Sequence, residues 1–209
     1  MKFSFRKKSD KRIGGSIEYY GLQDWWIGEF SESERCLIRD TFKPMMSTRL
    51  IDEGKIEESS QSKLAFLGVL ASWFKKKENY NIAKKILVEG EKYVSSSEDV
   101  MDMHFFCLSA IQIFYSNRDG DDMAFNKAVE YCKLQISLAP EVKEVFKKEY
   151  AYENLPMHTG YRQLAIIYEK QKEYGLALQL VREAMESGWN VDDCKKRIDR
   201  LEKKIQACS

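Results

Sequence analysis

Apolar residues recur at helical spacing along most of this chain. In YRQLAIIYEKQKEYGLALQLVREAMESGW, residues 161–189, Leu164, Ala165 and Tyr168 fall on one stripe. Ala177, Val181 and Ala184 fall on another at the same three-to-four spacing, which predicts two short amphipathic helices folded against each other. The small residues let two backbones approach closely, and the aromatics fill the gap that the approach leaves. Such a hairpin cannot bury its apolar face alone, so it must stack on neighbours.

The same alternation recurs upstream. KLAFLGVLASWFKKKENYNIAKKILVEGEKYV carries Leu67, Leu70, Ala71, Phe74, Tyr80, Ala83, Leu87 and Gly90 in the same order. MHFFCLSAIQIFYSNRDGDDMAFNKAVEYCKLQISLAP offers Ala110 and Phe114, then Phe125, Ala128 and Cys132, with Pro140 where the unit should end. Its turn SNRDGDD predicts an extended connection. The marker alanines Ala83, Ala128 and Ala177 stand 45 and 49 residues apart, and the excess after Pro140 leaves room for one more helix in EVKEVFKKEYAYEN. Ser31 and Glu34 form a capping-box pattern ahead of ERCLIRDTF, so a helix starts there and ends before Pro44. STRLIDEGKIEESSQS reads as the longest loop. Asn154 marks a start for the hairpin at 161–189, Gly188 closes that hairpin, and Asn190 with Asp193 caps a final helix. In that helix Val191, Cys194, Ile198, Leu201, Ile205 and Cys208 form a narrow apolar seam. The seam suits first a helix shielding the edge of the last hairpin, with self-association into a homodimer as the alternative.

Residues 62–189 resemble tetratricopeptide repeats. That family places a leucine and a small residue in its first helix, an aromatic three positions on, a tyrosine at the turn, and two alanines seven apart in its second helix. Leu164, Ala165, Tyr168, Tyr174, Ala177 and Ala184 hold those places, with Tyr161 at the opening aromatic. The departure is Trp189, where the family usually ends with proline. The resemblance implies an all-α fold of TPR-like hairpins stacked in a right-handed superhelix over residues 61–209, closed by a capping helix at 190–207. Residues 1–60 do not match, and read as an aromatic-rich extension with one or two helices.

Composition supports a globular chain. Its 209 residues can bury a real core, and 34 Lys plus Arg nearly cancel 33 Asp plus Glu, so no global field steers it to nucleic acid or to a membrane. No apolar run is long enough to span a bilayer and no leader pattern opens the chain, which predicts a cytoplasmic protein. Five cysteines without a close pair predict neither a metal site nor a disulfide framework. Cys36, Cys107, Cys132 and Cys194 read as small hydrophobes in a reducing compartment.

Catalytic signatures are missing. His104 and His158 are the only histidines and neither lies in HExxH; no GxxxxGK[ST], GxGxxG or GxSxG occurs. His158, near a helix start, is expected to pack or hydrogen-bond. Asp119, Asp121 and Asp122 lack the calcium-loop pattern. The expectation is a protein that is not an enzyme and holds no cofactor or metal.

That leaves binding. The resemblance implies that the first helices of the hairpins line a concave wall, carrying Ser72, Lys75 and Lys76, then Gln112 and Tyr115, then Arg162, Ile166 and Glu169. These suit an acidic or extended peptide, or are simply solvated helix faces. Gly68, Ser72, Thr159 and Gln163 stand where repeats that grip a terminal carboxylate carry lysine, asparagine and arginine, so that clamp is absent. The expected function is an adaptor for another protein or peptide. The alternatives are a peptide-responsive regulatory sensor, as in bacterial regulators with related repeats, and a nucleic-acid contact through the amino terminus. MKFSFRKKSDKR carries six basic residues against one acidic, and Tyr19, Tyr20, Trp25, Trp26 and Phe30 follow. Those aromatics could stack on bases, but Leu22, Trp25, Trp26 and Phe30 share a helical face, which favours packing.

Overall fold

A computed structural model describes residues 12–44, 51–150 and 155–208. Among them the chain is all-α, with eleven α-helices and one short 3-10 turn. The only β pairing among these residues is an isolated bridge between Leu155 and Trp189. None of these helices is long and apolar enough to cross a membrane. The chain divides into two compact units, Met1–Gln61 and Ser62–Ser209.

The first unit holds three helices, one more than expected: α1 (Gly15–Tyr19), α2 (Gln23–Glu29) and α3 (Glu32–Thr41). Ser31 and Glu34 close a full capping box on α3: the Glu34 amide donates to Ser31 Oγ and the Ser31 amide to Glu34 Oε2. Leu22, Trp26 and Phe30 are buried with Ile17 and Ile38, so the shared aromatic face serves a core. Trp25 is half-buried. Residues 51–61 are non-helical, as the loop pattern predicts, yet Ile51 and Asp52 are buried. The amide of Gly14 donates to Asp52 O (2.8 Å), and that of Gly15 to Gly54 O (2.7 Å). A Cβ on Gly15, whose φ is +57°, would lie 2.4 Å from Ile51 O. The glycine pair is thus a seat for a strap of backbone. Asp52 locks the strap in place: Trp26 Nε1 donates to it at 3.0 Å and Arg39 Nη2 at 2.7 Å. Arg39 is pushed well above its ordinary range, chiefly by its hydrogen bonds to Asp52. The basic run at residues 1–11 lies outside the described residues.

The second unit contains α4 (Lys63–Ser72), α5 (Tyr80–Val94), α6 (Val100–Ser116), α7 (Ala124–Ser137), α8 (Ala139–Tyr150), α9 (Thr159–Lys170), α10 (Tyr174–Glu186) and α11 (Val191–Cys208). Helices α4 and α5, α6 and α7, and α9 and α10 pack pairwise. Contacts of α6 with α4 and α5, and of α9 with α6 and α7, join successive pairs. Ala71, Ala83, Ala110, Ala128, Ala165 and Ala177 are fully buried, where small side chains permit close crossing. Phe106 is gripped from two sides. A Cβ on Gly68 would come within 3.3 Å of its Cα, and one on Gly90 within 2.3 Å of its ring.

The inserted helix α8 starts one residue before Pro140, a first-turn position where a missing amide costs nothing. Its Val142 and Phe146 join a core with Met101, Ala165, Trp189 and Leu201. Helix α10 ends in a reciprocal turn: Trp189 N donates to Ala184 O and Gly188 N to Met185 O, with Gly188 at φ +89°. Helix α9 ends the same way, with Lys172 in the left-handed position at φ +64°. The cap of α9 is His158, whose Nδ1 accepts from Tyr161 N, whereas Asn154 lies outside the described residues. Cys107, Cys132 and Cys194 are buried, as expected of small hydrophobes. Cys36 is a correction: it is exposed on the polar side of α3, beside Glu32 and Arg39.

Candidate protein-binding face

Helices α4 and α6 pack side by side and carry three of the eight expected binding residues. Ser72 is half-buried, and its hydroxyl donates to its own helix at Val69 O (2.7 Å). Gln112 is exposed on α6. Tyr115 is half-buried with two cations on its ring, Arg118 at 4.4 Å and Lys170 of α9 at 5.5 Å. Lys75 and Lys76 are exposed, but they lie in the turn beyond α4 rather than on the helix.

The stripe Arg162, Ile166 and Glu169 on α9 behaves differently. Glu169 accepts from Arg197 (2.6 Å), Arg200 (2.8 Å) and Lys204 (3.4 Å), all on α11. Burial opposes its ionisation, yet the bonds from Arg200 and the charge of Arg197 outweigh it, so its carboxyl sits below the usual range. Glu169 is therefore a tether for α11, not a side chain free to meet a partner. Arg162 is exposed at the rim of a small cavity, and Ile166 is half-buried.

Sequence reasoning missed three exposed apolar side chains on this face. Val69 and Trp73 lie a helical turn apart on α4 and its cap, each 39% exposed, and Phe105 on α6 is 48% exposed. Their signal was present: apolar residues standing off the buried stripe, with Phe105 seven positions before Gln112 on one face of α6. Nearby, Asp121 fastens the long 117–123 connection to α5. Tyr80 Oη donates to it at 2.6 Å and Lys84 Nζ at 2.5 Å, and bonds from Lys84 and Tyr80 hold its carboxyl down at about 2. Although it sits in a polar loop, Asp121 is mostly enclosed.

The histidines come together in the interior. Their ring centroids are 5.2 Å apart, with Trp189 4.9 Å and Tyr161 5.0 Å from His158. Burial pushes His104 down to about 4; burial and then the charge of His104 push His158 down to about 3. Gln135 braces the cluster, donating to His104 O (2.9 Å) and accepting from Gly160 N (2.6 Å). Among the described residues no group of three or more His, Cys, Asp or Glu is arranged to hold a metal ion. Set against protein-family models, curated proteins and solved structures, the chain matches none. What the described residues themselves define is an all-α chain with exposed apolar side chains on the packed helices α4 and α6.

Proposed function

We propose that residues 62–209 are a tetratricopeptide-like stack of hairpins in a right-handed superhelix, and that the protein is a non-catalytic adaptor. It docks an apolar-anchored, acidic segment of another protein or peptide on the face shared by α4 and α6. The order of packing supports the stack, since each hairpin touches the next and the marker alanines lie buried at the crossings. The carrying observation for function is the exposed trio Val69, Trp73 and Phe105 on neighbouring helices, beside the cation-flanked Tyr115 and with Lys75 and Lys76 at one end. Exposed aromatics ringed by polar groups are the usual anchors of protein interfaces. Helix α11 acts as the cap rather than a dimer strand: its seam residues Leu201 and Cys194 are buried within a single chain. The cytoplasm is the proposed setting, in keeping with the free thiols of Cys107, Cys132 and Cys194.

The test compares capture by the parent protein and by a folded Val69→Glu, Phe105→Glu variant, followed by reconstitution of the complex from purified components. A partner that binds the parent and loses at least tenfold in affinity to the variant supports the adaptor. Partners held equally by both would remove the face from consideration. Compaction in solution scattering on adding a short peptide would favour the sensor instead.

A further inference from the structure

Charge is ordered along the face shared by α4 and α6. A Cβ on Gly68 would lie 3.3 Å from the Cα of Phe106, so the two helices cross there and the exposed neighbours Val69 and Phe105 stand at one level. Both helices run the same way. Tyr80 and Lys84, beyond the turn that follows α4, bond to Asp121 in the connection that follows α6. At the opposite end Lys63, which opens α4, lies over the ring of Tyr93, 4.6 Å from its centre, shortly before α6 begins.

Along this common direction the two ends carry opposite sign. Glu98, Asp99 and Asp102 outnumber Lys63 at the amino end, and Lys75, Lys76 and Lys77 outnumber Glu78 at the carboxyl end. Asp102 stands one turn before Phe105 on the same side of α6. Among the described residues Asp102, Lys75 and Lys76 have no ion-pair partner. At a rise of about 1.5 Å per residue, Asp102 lies about 6 Å before the crossing and Lys75 about 10 Å beyond it, so the midpoint between them falls about 2 Å past the crossing, among Val69, Phe105 and Trp73.

Such a face is complementary to itself. A half-turn about an axis through that midpoint brings acidic end to basic end twice over, and lays the apolar trio against its own image. The start of α6, with Asp102 beside Phe105, is itself an acidic segment with an apolar anchor. We propose that the occupant of this face is a second copy of the chain. In the two-fold dimer Val69, Trp73 and Phe105 form the centre, and Asp102 of each copy meets Lys75 and Lys76 of the other at the rim. This rests on the reading of the α4–α6 face as an interface, and names what covers it.

Sedimentation equilibrium of the full chain, over rising protein concentration at low and high salt, tests the pairing. The parent should dimerise, and more weakly as salt rises. Asp102→Lys in one variant, and Lys75→Glu with Lys76→Glu in another, should each raise the dimer Kd about tenfold or more, because each sets like charges together on both sides of the axis. Mixing the two variants should restore association: the altered positions attract each other on one side, and the native pair forms on the other. Association through α11 would show no such rescue. The changes fall at exposed or half-buried positions, and circular dichroism checks that each variant keeps its helix content. Should Asp102→Lys fail to fold, Asp102→Asn takes its place, with a smaller rise in Kd. A parent that stays monomeric at every concentration, a dimer indifferent to both variants, or variants that do not rescue each other would overturn the proposal. The adaptor reading is judged apart. A monomeric chain whose captured partner is lost with Val69→Glu, Phe105→Glu leaves the adaptor standing and removes the second copy.

Discussion

Acidification from pH 7 to pH 5 should cost the fold about 4 kcal/mol through His104 and His158 alone. Both rings lie within the protein, 5% and 2% exposed, and burial holds their pKa values at about 4 and about 3. An unfolded histidine titrates near 6.5. Below that value the unfolded chain takes up protons that the folded chain refuses, so stability falls as pH falls. The contribution is complete above about pH 6.5 and drains away toward the folded values, at about 1.4 kcal/mol per pH unit for each ring. At pH 5 the loss is about 2 kcal/mol per histidine, a large share of an ordinary stability of roughly 5–15 kcal/mol. The carboxylates held down by partners, Glu32, Asp121 and Glu169, act in a lower window, because their unfolded values lie near 4. Urea unfolding followed by circular dichroism at several pH values measures the slope. His158→Asn, which keeps a capping acceptor, and His104→Gln should each remove about half of it. A flat stability between pH 7 and pH 5, or an undiminished slope in the double variant, would refute the reasoning.

Three further outcomes follow from particular contacts. Gly90→Ala drives a methyl to 2.3 Å from the buried Phe106 ring and should lower stability by about 1–3 kcal/mol, with a smaller loss in a Phe106→Leu background, as a double-mutant cycle would show. Lys172→Gly replaces a side chain in the left-handed position that ends α9, and should raise stability by about 1 kcal/mol in thermal melts. Asp52→Ala leaves the Trp26 N–H without its acceptor and the Arg39 guanidinium with Glu32 as its one remaining carboxylate. It should weaken the first unit by about 2–3 kcal/mol, read from faster amide exchange in residues 12–44.

The elements legible in the sequence are those whose signals are local. The Ser31–Glu34 box, the Gly188 stop and the buried row Ala177, Val181 and Ala184 each depend on neighbours within a turn or two. Asp52 gave no such sign, because its burial depends on Trp26 and Arg39 from another part of the chain. Glu169 carries a surface-like pattern on α9 and became a tether only through the course taken by α11. Cys36 shares helical spacing with apolar residues, but a short helix has one covered side and Cys36 falls off it. Part of the face was visible as Gln112 and Tyr115. Its apolar members Val69, Trp73 and Phe105 were not, since a hydrophobic residue off the stripe looks much like one on it until the helix neighbours are placed.

The insertion of α8 bears on how the second unit comes apart. In a plain row of hairpins the end member can fray while the others stay folded. Phe146 stands 6.1 Å from His104 on α6 and 6.0 Å from Trp189 at the exit of α10, so one side chain ties the middle hairpin to the end of the last one. Loosening either end exposes the same aromatic ring to water. Residues 62–209 should consequently melt in one cooperative step, and the terminal hairpin has no independent life of its own.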